Sequence, residues 1–332
     1  MRPVREVLLF PVPAEHPTAP KTGLTSEDMD NRSEVREFLI SRRAKITPRQ
    51  AGLPAWGGSR RVAGLRREEV AMLAGVSAEY YARLERGNLS GVSESVLEAL
   101  VRALQLDEAE RAHLFDLARA ANAGPRPRRR PAQRQIRPGI QHLLDSMSDA
   151  AAYVRNGRLD VLASNRLARA LYAPVFEDPV RPVNLARFRF LNPRAHDFYP
   201  DWQESAHTTV ALLRTEAGRD PYDRALTDLV GELATRCEEF RALWAAHNVR
   251  LHHTGTKNFH HPVIGHLSLP FEAMPLPADP GLTLTAFSAE PGTAAHDGLT
   301  LLTSWAATSE QTEPAEQQDR ARTVDNRSTG PR

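Results

Sequence analysis

The sequence predicts an α+β chain of two folded units, an all-helical one followed by a mixed α/β one, and three observations carry that reading. Leu65 to Gly87, LRREEVAMLAGVSAEYYARLERG, has the spacing of two short helices joined by a tight turn. Charge is uneven: Arg32 to Arg137 holds 21 Lys and Arg against 12 Asp and Glu, whereas the rest of the chain holds 22 against 29. After Arg137 the apolar period changes, and Asn156-Gly157 stands between two strand-like runs, AAYVRN and RLDVLA, where a hairpin turn belongs.

Within the first of these stretches, Val70, Leu73 and Ala74 keep the spacing of one apolar helix face, and Gly75 ends it. Ser77 is an N-cap, Tyr81 and Leu84 resume the stripe, and Gly87 supplies the stop. Small or apolar residues at Ala71, Gly75 and Val76 let the two helices cross closely, as a helix-turn-helix requires. The second helix then enters a DNA major groove, with Ser77, Ala78, Glu79 and Arg83 facing base edges. Arg60, Arg61, Arg66 and Arg67 fall where the first helix crosses the sugar-phosphate backbone, and Tyr80 can add a hydroxyl to a phosphate. An ordinary pair of core helices is the competing reading, but it leaves the placement of these arginines unexplained.

In chain order, residues 1–30 carry five prolines without helical spacing and are expected to be a disordered extension, so that translation from Met29 would also serve. A helix follows from Ser33, its cap, with Val35, Phe38 and Leu39 inward. After a long loop, Thr47 to Ala63, come the helix-turn-helix, a helix from Ser93 through Val96, Leu97, Leu100 and Leu104, and one opened by an Asp107 and Glu110 capping box. These five helices make a DNA-binding domain at 31–122. A Pro/Arg-rich linker is expected at 123–136, a second domain at 137–306 and a disordered tail at 307–332. The second domain starts with a helix at PGIQHLLDSM and returns to helix from Asn165 to Phe176 after its hairpin. Further helices are expected at Asp201 to Glu216, Pro221 to Ala234 and Glu238 to Ala246. Strands around Val249 to His253, His266 to Phe271 and Leu282 to Ser288, and a helix at Leu299 to Trp305, close it.

Composition removes several classes. One cysteine, Cys237, excludes an intramolecular disulfide and fits a reducing cytoplasm. No apolar run approaches the roughly 20 residues that span a bilayer. There is no phosphate-binding glycine loop, nucleophile elbow or paired-cysteine zinc motif, so no catalytic residues and no cofactor are assigned. His247, His252, His253, His260, His261 and His266 are the one enrichment, and a metal site would need three of them to converge.

The stretch from Ser33 to Asn122 resembles the XRE-type helix-turn-helix regulators of bacteria. GLRREEVAMLAGVS followed by YYARLERG is similar to the actinobacterial branch that carries a MmyB-like ligand-binding domain, and NLARFRFLNP, DFYPDW, EEFRALWAAHNV and HHPVIG resemble that domain. Cys237 stands where serine is common in the family, and Ala63 where proline is frequent. The resemblance implies a PAS-like fold, a transcription regulator rather than an enzyme, and a fatty-acid-like ligand between sheet and helices. Phe188, Phe190, Tyr199, Trp202 and Trp244 are the expected pocket residues. Double-stranded DNA, an apolar small molecule and a second copy of the chain are the expected partners. A metal-dependent enzyme fused to a DNA-targeting domain and a non-DNA-binding interaction module are the alternatives.

Overall fold

A computed structural model of the chain describes residues 26–54, 62, 64–123, 136–250 and 253–308. Arg60, Arg61, His252, all but the two end residues of the expected linker, most of the expected N-terminal extension and nearly all of the expected tail lie outside these residues.

The first unit is five helices: α1 (Ser26–Lys45), α2 (Arg67–Ala74), α3 (Ala78–Glu85), α4 (Glu94–Ala103) and α5 (Glu108–Asn122). Helix α1 begins seven residues before the expected cap, so Ser33 is interior and its hydroxyl donates to Glu37 at 3.4 Å. Apolar spacing cannot register a polar first turn, yet the acidic run SEDMD is a composition that helix N-termini favour. The other caps stand as the sequence predicts: Ser77, Ser93 and Asp107 accept from the backbone N–H of Tyr80, Val96 and Glu110. Gly75 ends α2 at φ 67°, a conformation costly for any residue with a side chain. Gly87 serves a second purpose, because a Cβ there would lie 2.2 Å from the Arg32 carbonyl oxygen of α1.

Val35, Phe38, Leu39, Val70, Tyr81 and Leu84 meet in one core. Leu73 is 36% exposed, contrary to the expected stripe, and the inward face of α2 is Val70, Ala71 and Ala74. Two alanines on that face bring the short helix close to its neighbours, which turns the longer Leu73 outward.

The second unit contains α6 (Pro138–Ser146), β1 (Ala151–Asn156), β2 (Val161–Ser164), α7 (Arg166–Leu171), α8 (Ala173–Phe176), α9 (Leu185–Leu191) and α10 (Ala195–Phe198). It continues with α11 (Trp202–Arg219), α12 (Arg224–Arg236), α13 (Glu238–Ala245), β3 (Thr254–His261), β4 (Gly265–Pro275), β5 (Leu282–Phe287) and a helix at 294–308. The five strands form one antiparallel sheet in the order β2-β1-β5-β4-β3. Leu144 of α6 packs on Ala152, Val154 and Leu284 on one face, and the remaining helices cover Tyr153, Phe259 and Phe287 on the other. Strand β1 is therefore buried along its whole length, whereas β4 alternates, with Leu267, Leu269 and Phe271 inward.

Three local expectations change. The Asn156-Gly157 hairpin is present, but its left-handed residue is Leu159, at φ 66°, and the wider loop is closed by Asn156 Nδ2 donating to Asp160 at 2.8 Å. The expected helix from Asn165 to Phe176 is two helices, parted at Tyr172 just ahead of Pro174. Val249 belongs to no strand: it is buried in the helical core of the first unit, and β3 starts five residues later. An apolar residue that docks on a neighbouring domain and one that enters a sheet look alike in sequence. The polar strand TGTKNFHH is hidden for the opposite reason, because it buries only Phe259 and His261.

Candidate functional site

Helix α3 presents one polar side. Its Tyr81 and Leu84 are buried against the core, and Ser77, Ala78, Glu79 and Arg83 are exposed on the other side. The arrangement follows from the cap: Ser77 Oγ accepts from the Tyr80 N–H at 3.1 Å, which fixes where the helix starts and hence which side faces outward. The guanidinium of Arg83 lies 4.8 Å from the centroid of the Tyr80 ring, so the two form one cation–π unit on that surface. Arg66 is exposed at the start of α2, its backbone N–H donating to Glu69 at 2.7 Å. Arg67 differs from the sequence expectation of a free phosphate ligand, because its guanidinium donates to Glu85. Glu85 is buried and also accepts from Arg43 at 2.6 Å, so one carboxylate ties α1, α2 and α3 together. Nothing in the pattern ERG marked Glu85, since its partners lie 42 and 18 residues away.

The second unit has a partly open cavity of about 90 Å³ between the sheet and helices α9 and α11. Of the expected pocket residues, Tyr199 lines it. The structure puts the other four in packing positions: Phe188 sits edge-on to Phe198 at 5.9 Å, Phe190 contacts Phe240 at 5.0 Å and Trp202 at 5.9 Å, and Trp244 stacks on Phe240 at 5.7 Å. Phe271 and Phe287 supply aromatic wall instead, and Arg155, Arg189 and Lys257 add three cations that the sequence reading missed. They come from β1, α9 and β3, so no local spacing announces them. Arg189 is 3% exposed, its Cζ is 3.8 Å from the Tyr199 ring centroid, and its Nε and Nη1 meet no acceptor among the described residues. Burial, reinforced by Arg189 and Arg155, pushes the Lys257 ammonium down to about 7. Burial pushes the Tyr199 hydroxyl up to about 12.

Residues 136–302, half of the chain, match the MmyB-like transcription regulator ligand binding domain, and residues 58–114 match a helix-turn-helix domain. The chain belongs to the MmyB-like transcription regulators. No curated protein matches it. The two matched regions coincide with the unit that carries α3 and the unit that carries the cavity, so this MmyB-like regulator is a DNA-binding protein with a ligand-binding domain. Among the described residues no helix is long and apolar enough to cross a membrane.

In this MmyB-like regulator the two domains share a charged contact. Arg214 of α11 is fully buried and donates to Glu34 of α1 and to the Trp244 carbonyl oxygen, while its Cζ lies 4.0 Å from the Trp244 ring. His113 of α5 and His247, which follows α13, each place a ring nitrogen 3.6 Å from the same Glu34 oxygen. Burial acting alone would raise the pKa of Glu34; His113, His247 and Arg214 outweigh it and hold the carboxyl well below the usual range. Arg42 of α1 donates across the boundary to the His247 carbonyl oxygen, and Lys45 to Asn248 at 2.8 Å. Helices α5 and α11 approach so closely that a Cβ on Gly218 would lie 2.4 Å from the His113 ring.

The histidines do not converge on one site among the described residues. His260 and His266 stack across β3 and β4 at 4.6 Å, His261 bonds the Ala170 carbonyl oxygen at 3.0 Å, and His247 joins the interdomain contact. Glu34, Glu37 and His247 have ligand atoms within 4.8 Å of one another, but Glu34 is already engaged by Arg214.

Proposed function

We propose that the chain is a sequence-specific transcription regulator whose affinity for DNA is set by a small molecule held in the cavity of its second domain. The observation that carries this reading is the double duty of α11. Thr208, Thr209 and Leu212 line the cavity, and Arg214, two residues further along, holds Glu34 of α1. Helix α1 packs on α3, so cavity, interdomain contact and DNA-facing helix form one packed series.

A ligand shifts DNA binding only by as much as it binds the competent and incompetent arrangements differently. Any displacement of α11 that a ligand causes has to break or move the Arg214–Glu34 pair. Interfaces of packed helices have discrete arrangements rather than continuous ones, so a small movement at the cavity can be passed on as a change of domain pose.

On the DNA side, Ser77, Ala78, Glu79 and Arg83 read bases. Arg60, Arg61, Arg66 and Tyr80 meet phosphates, with Arg67 weakened in that role by Glu85. A homodimer belongs to the same proposal, because two recognition helices one DNA turn apart give a regulator its operator symmetry. Of a fatty-acid-like ligand the proposal keeps only the acid group, which three cations in the cavity suit better than a purely apolar molecule.

The test has two arms. Selection from a random DNA pool should return a defined duplex, and mass spectrometry of natively purified protein should find a bound small molecule whose re-addition changes affinity for that duplex. An unselective pool, or a re-added molecule without effect on DNA, would contradict the proposal.

A further inference from the structure

The cavity of the second domain contains an electrostatic imbalance. Arg155 is buried, Arg189 is 3% exposed and Lys257 is half-buried, and none of the three forms an ion pair with a carboxylate among the described residues. Arg155 donates to the Asn156 carbonyl oxygen at 3.3 Å and feels Glu216 from a distance. Arg189 has two N–H groups without acceptors. The Tyr199 ring lies 3.8 Å from Arg189 Cζ and 5.8 Å from Lys257 Nζ, and its hydroxyl is turned to the Arg189 guanidinium. Buried polar groups are normally satisfied, and buried like charges that no direct ion pair offsets oppose folding. Such a cluster offers donors that an anion would satisfy.

We propose that Arg155, Arg189 and Lys257 are a receptor for the carboxylate of a small organic acid, whose short hydrocarbon part rests on Phe271 and Phe287. The inference rests on the reading that this domain takes a ligand, and it names the ligand's class. A planar guanidinium offers parallel donors that match a carboxylate, and Tyr199 supplies a further hydroxyl. Asp201 and Glu204 also line the cavity, which disfavours a doubly charged phosphate more than a singly charged carboxylate. The space of about 90 Å³ is partly open, so it takes the carboxylate end and a few carbons, and any longer chain would have to lie in its mouth. The low proton affinity of Lys257 agrees with this, because a bound carboxylate would restore its charge.

The full chain is titrated calorimetrically with acetate, propionate, butyrate, inorganic phosphate and palmitate, and its melting temperature and affinity for a selected duplex are followed in the same samples. At least one of the three small carboxylates should bind and raise the melting temperature. Arg189→Gln should abolish that binding, and Lys257→Gln should weaken it by about tenfold, as the loss of a charge-assisted bond does. Because Lys257 is half-buried, Lys257→Gln keeps the test valid should Arg189→Gln fail to fold. Binding of none of the three, binding of phosphate or palmitate alone, or binding unchanged in Lys257→Gln would overturn the inference. If a carboxylate binds while affinity for DNA stays constant, the receptor stands and the ligand-controlled function fails. If none binds while DNA is still bound selectively, only the receptor fails.

Discussion

Arg214 of α11 donates to Glu34 of α1, joining the ligand-binding domain to the DNA-binding domain through residues 180 positions apart. The pair is buried on the arginine side, and two histidines and an arginine converge on one carboxylate. Removing the carboxylate leaves those groups without their counter-charge, so Glu34→Gln should destabilise the chain by about 3 kcal/mol. Arg214→Met should lose less, and the double variant less than the sum. Denaturant titration of the three variants checks this; additive losses would show that the pair does not couple.

The same carboxylate fixes an acid limb. Its folded proton affinity lies below that of the unfolded chain, so its contribution is complete above the unfolded value near 4.5 and disappears as pH falls through the lower folded value. The stability difference between the wild type and Glu34→Gln should therefore be constant from pH 7 to about 5 and shrink below that. A difference that grew on acidification would contradict the sign.

Base readout is assigned to the exposed side of α3. Glu79→Ala should relax preference at one base pair by about 1–3 kcal/mol while altering overall affinity less. Repeating the DNA selection with the variant measures both, and an unchanged preferred sequence would assign readout elsewhere.

The two neighbouring arginines of α2 should separate. Arg66 is exposed, so Arg66→Ala should weaken binding to all sequences alike and lower the salt slope by about one unit. Arg67 is pulled to higher proton affinity by its hydrogen bond and charge contact with Glu85, and Arg67→Ala should change melting temperature more than salt slope. Equal salt slopes for the two variants would show that Arg67 also meets phosphate.

Much of this was readable locally. Ser77, Ser93 and Asp107 cap their helices by bonds to residues three positions on, and Gly75 stops α2 through its own backbone angle, so a single stretch of sequence contains the whole cause. Glu85, Arg189, Lys257 and Glu34 were not readable, because each owes its environment to elements distant in the chain. The aromatic residues illustrate the same division: the sequence reading puts Phe190, Trp202 and Tyr199 together in a pocket, and only the fold assigns the first two to packing and Tyr199 to the cavity.

Lys257 supplies a pH test independent of ligand. Facing it are Arg189 from α9, Arg155 from β1 and the Tyr199 ring, all disfavouring or unable to neutralise its charge, and its folded value is about 7 against 10.5 for a free lysine. Between those values the unfolded chain holds a proton that the folded chain has released, so stability rises with pH there, and the destabilisation is complete below about 7. Lys257→Met should therefore melt above the wild type near pH 6.5, with the gap closing towards pH 10. A gap independent of pH would contradict it.

The central claim is that occupancy of the second domain governs DNA affinity of the first. Its most direct test is the affinity of natively purified protein for its selected duplex, compared with that of the same protein stripped of small molecules and then given them back. The account predicts a reversible change of about fivefold or more, the lower end of allosteric coupling, that is lost in Glu34→Gln. Equal affinities in all three states of the wild type would contradict it.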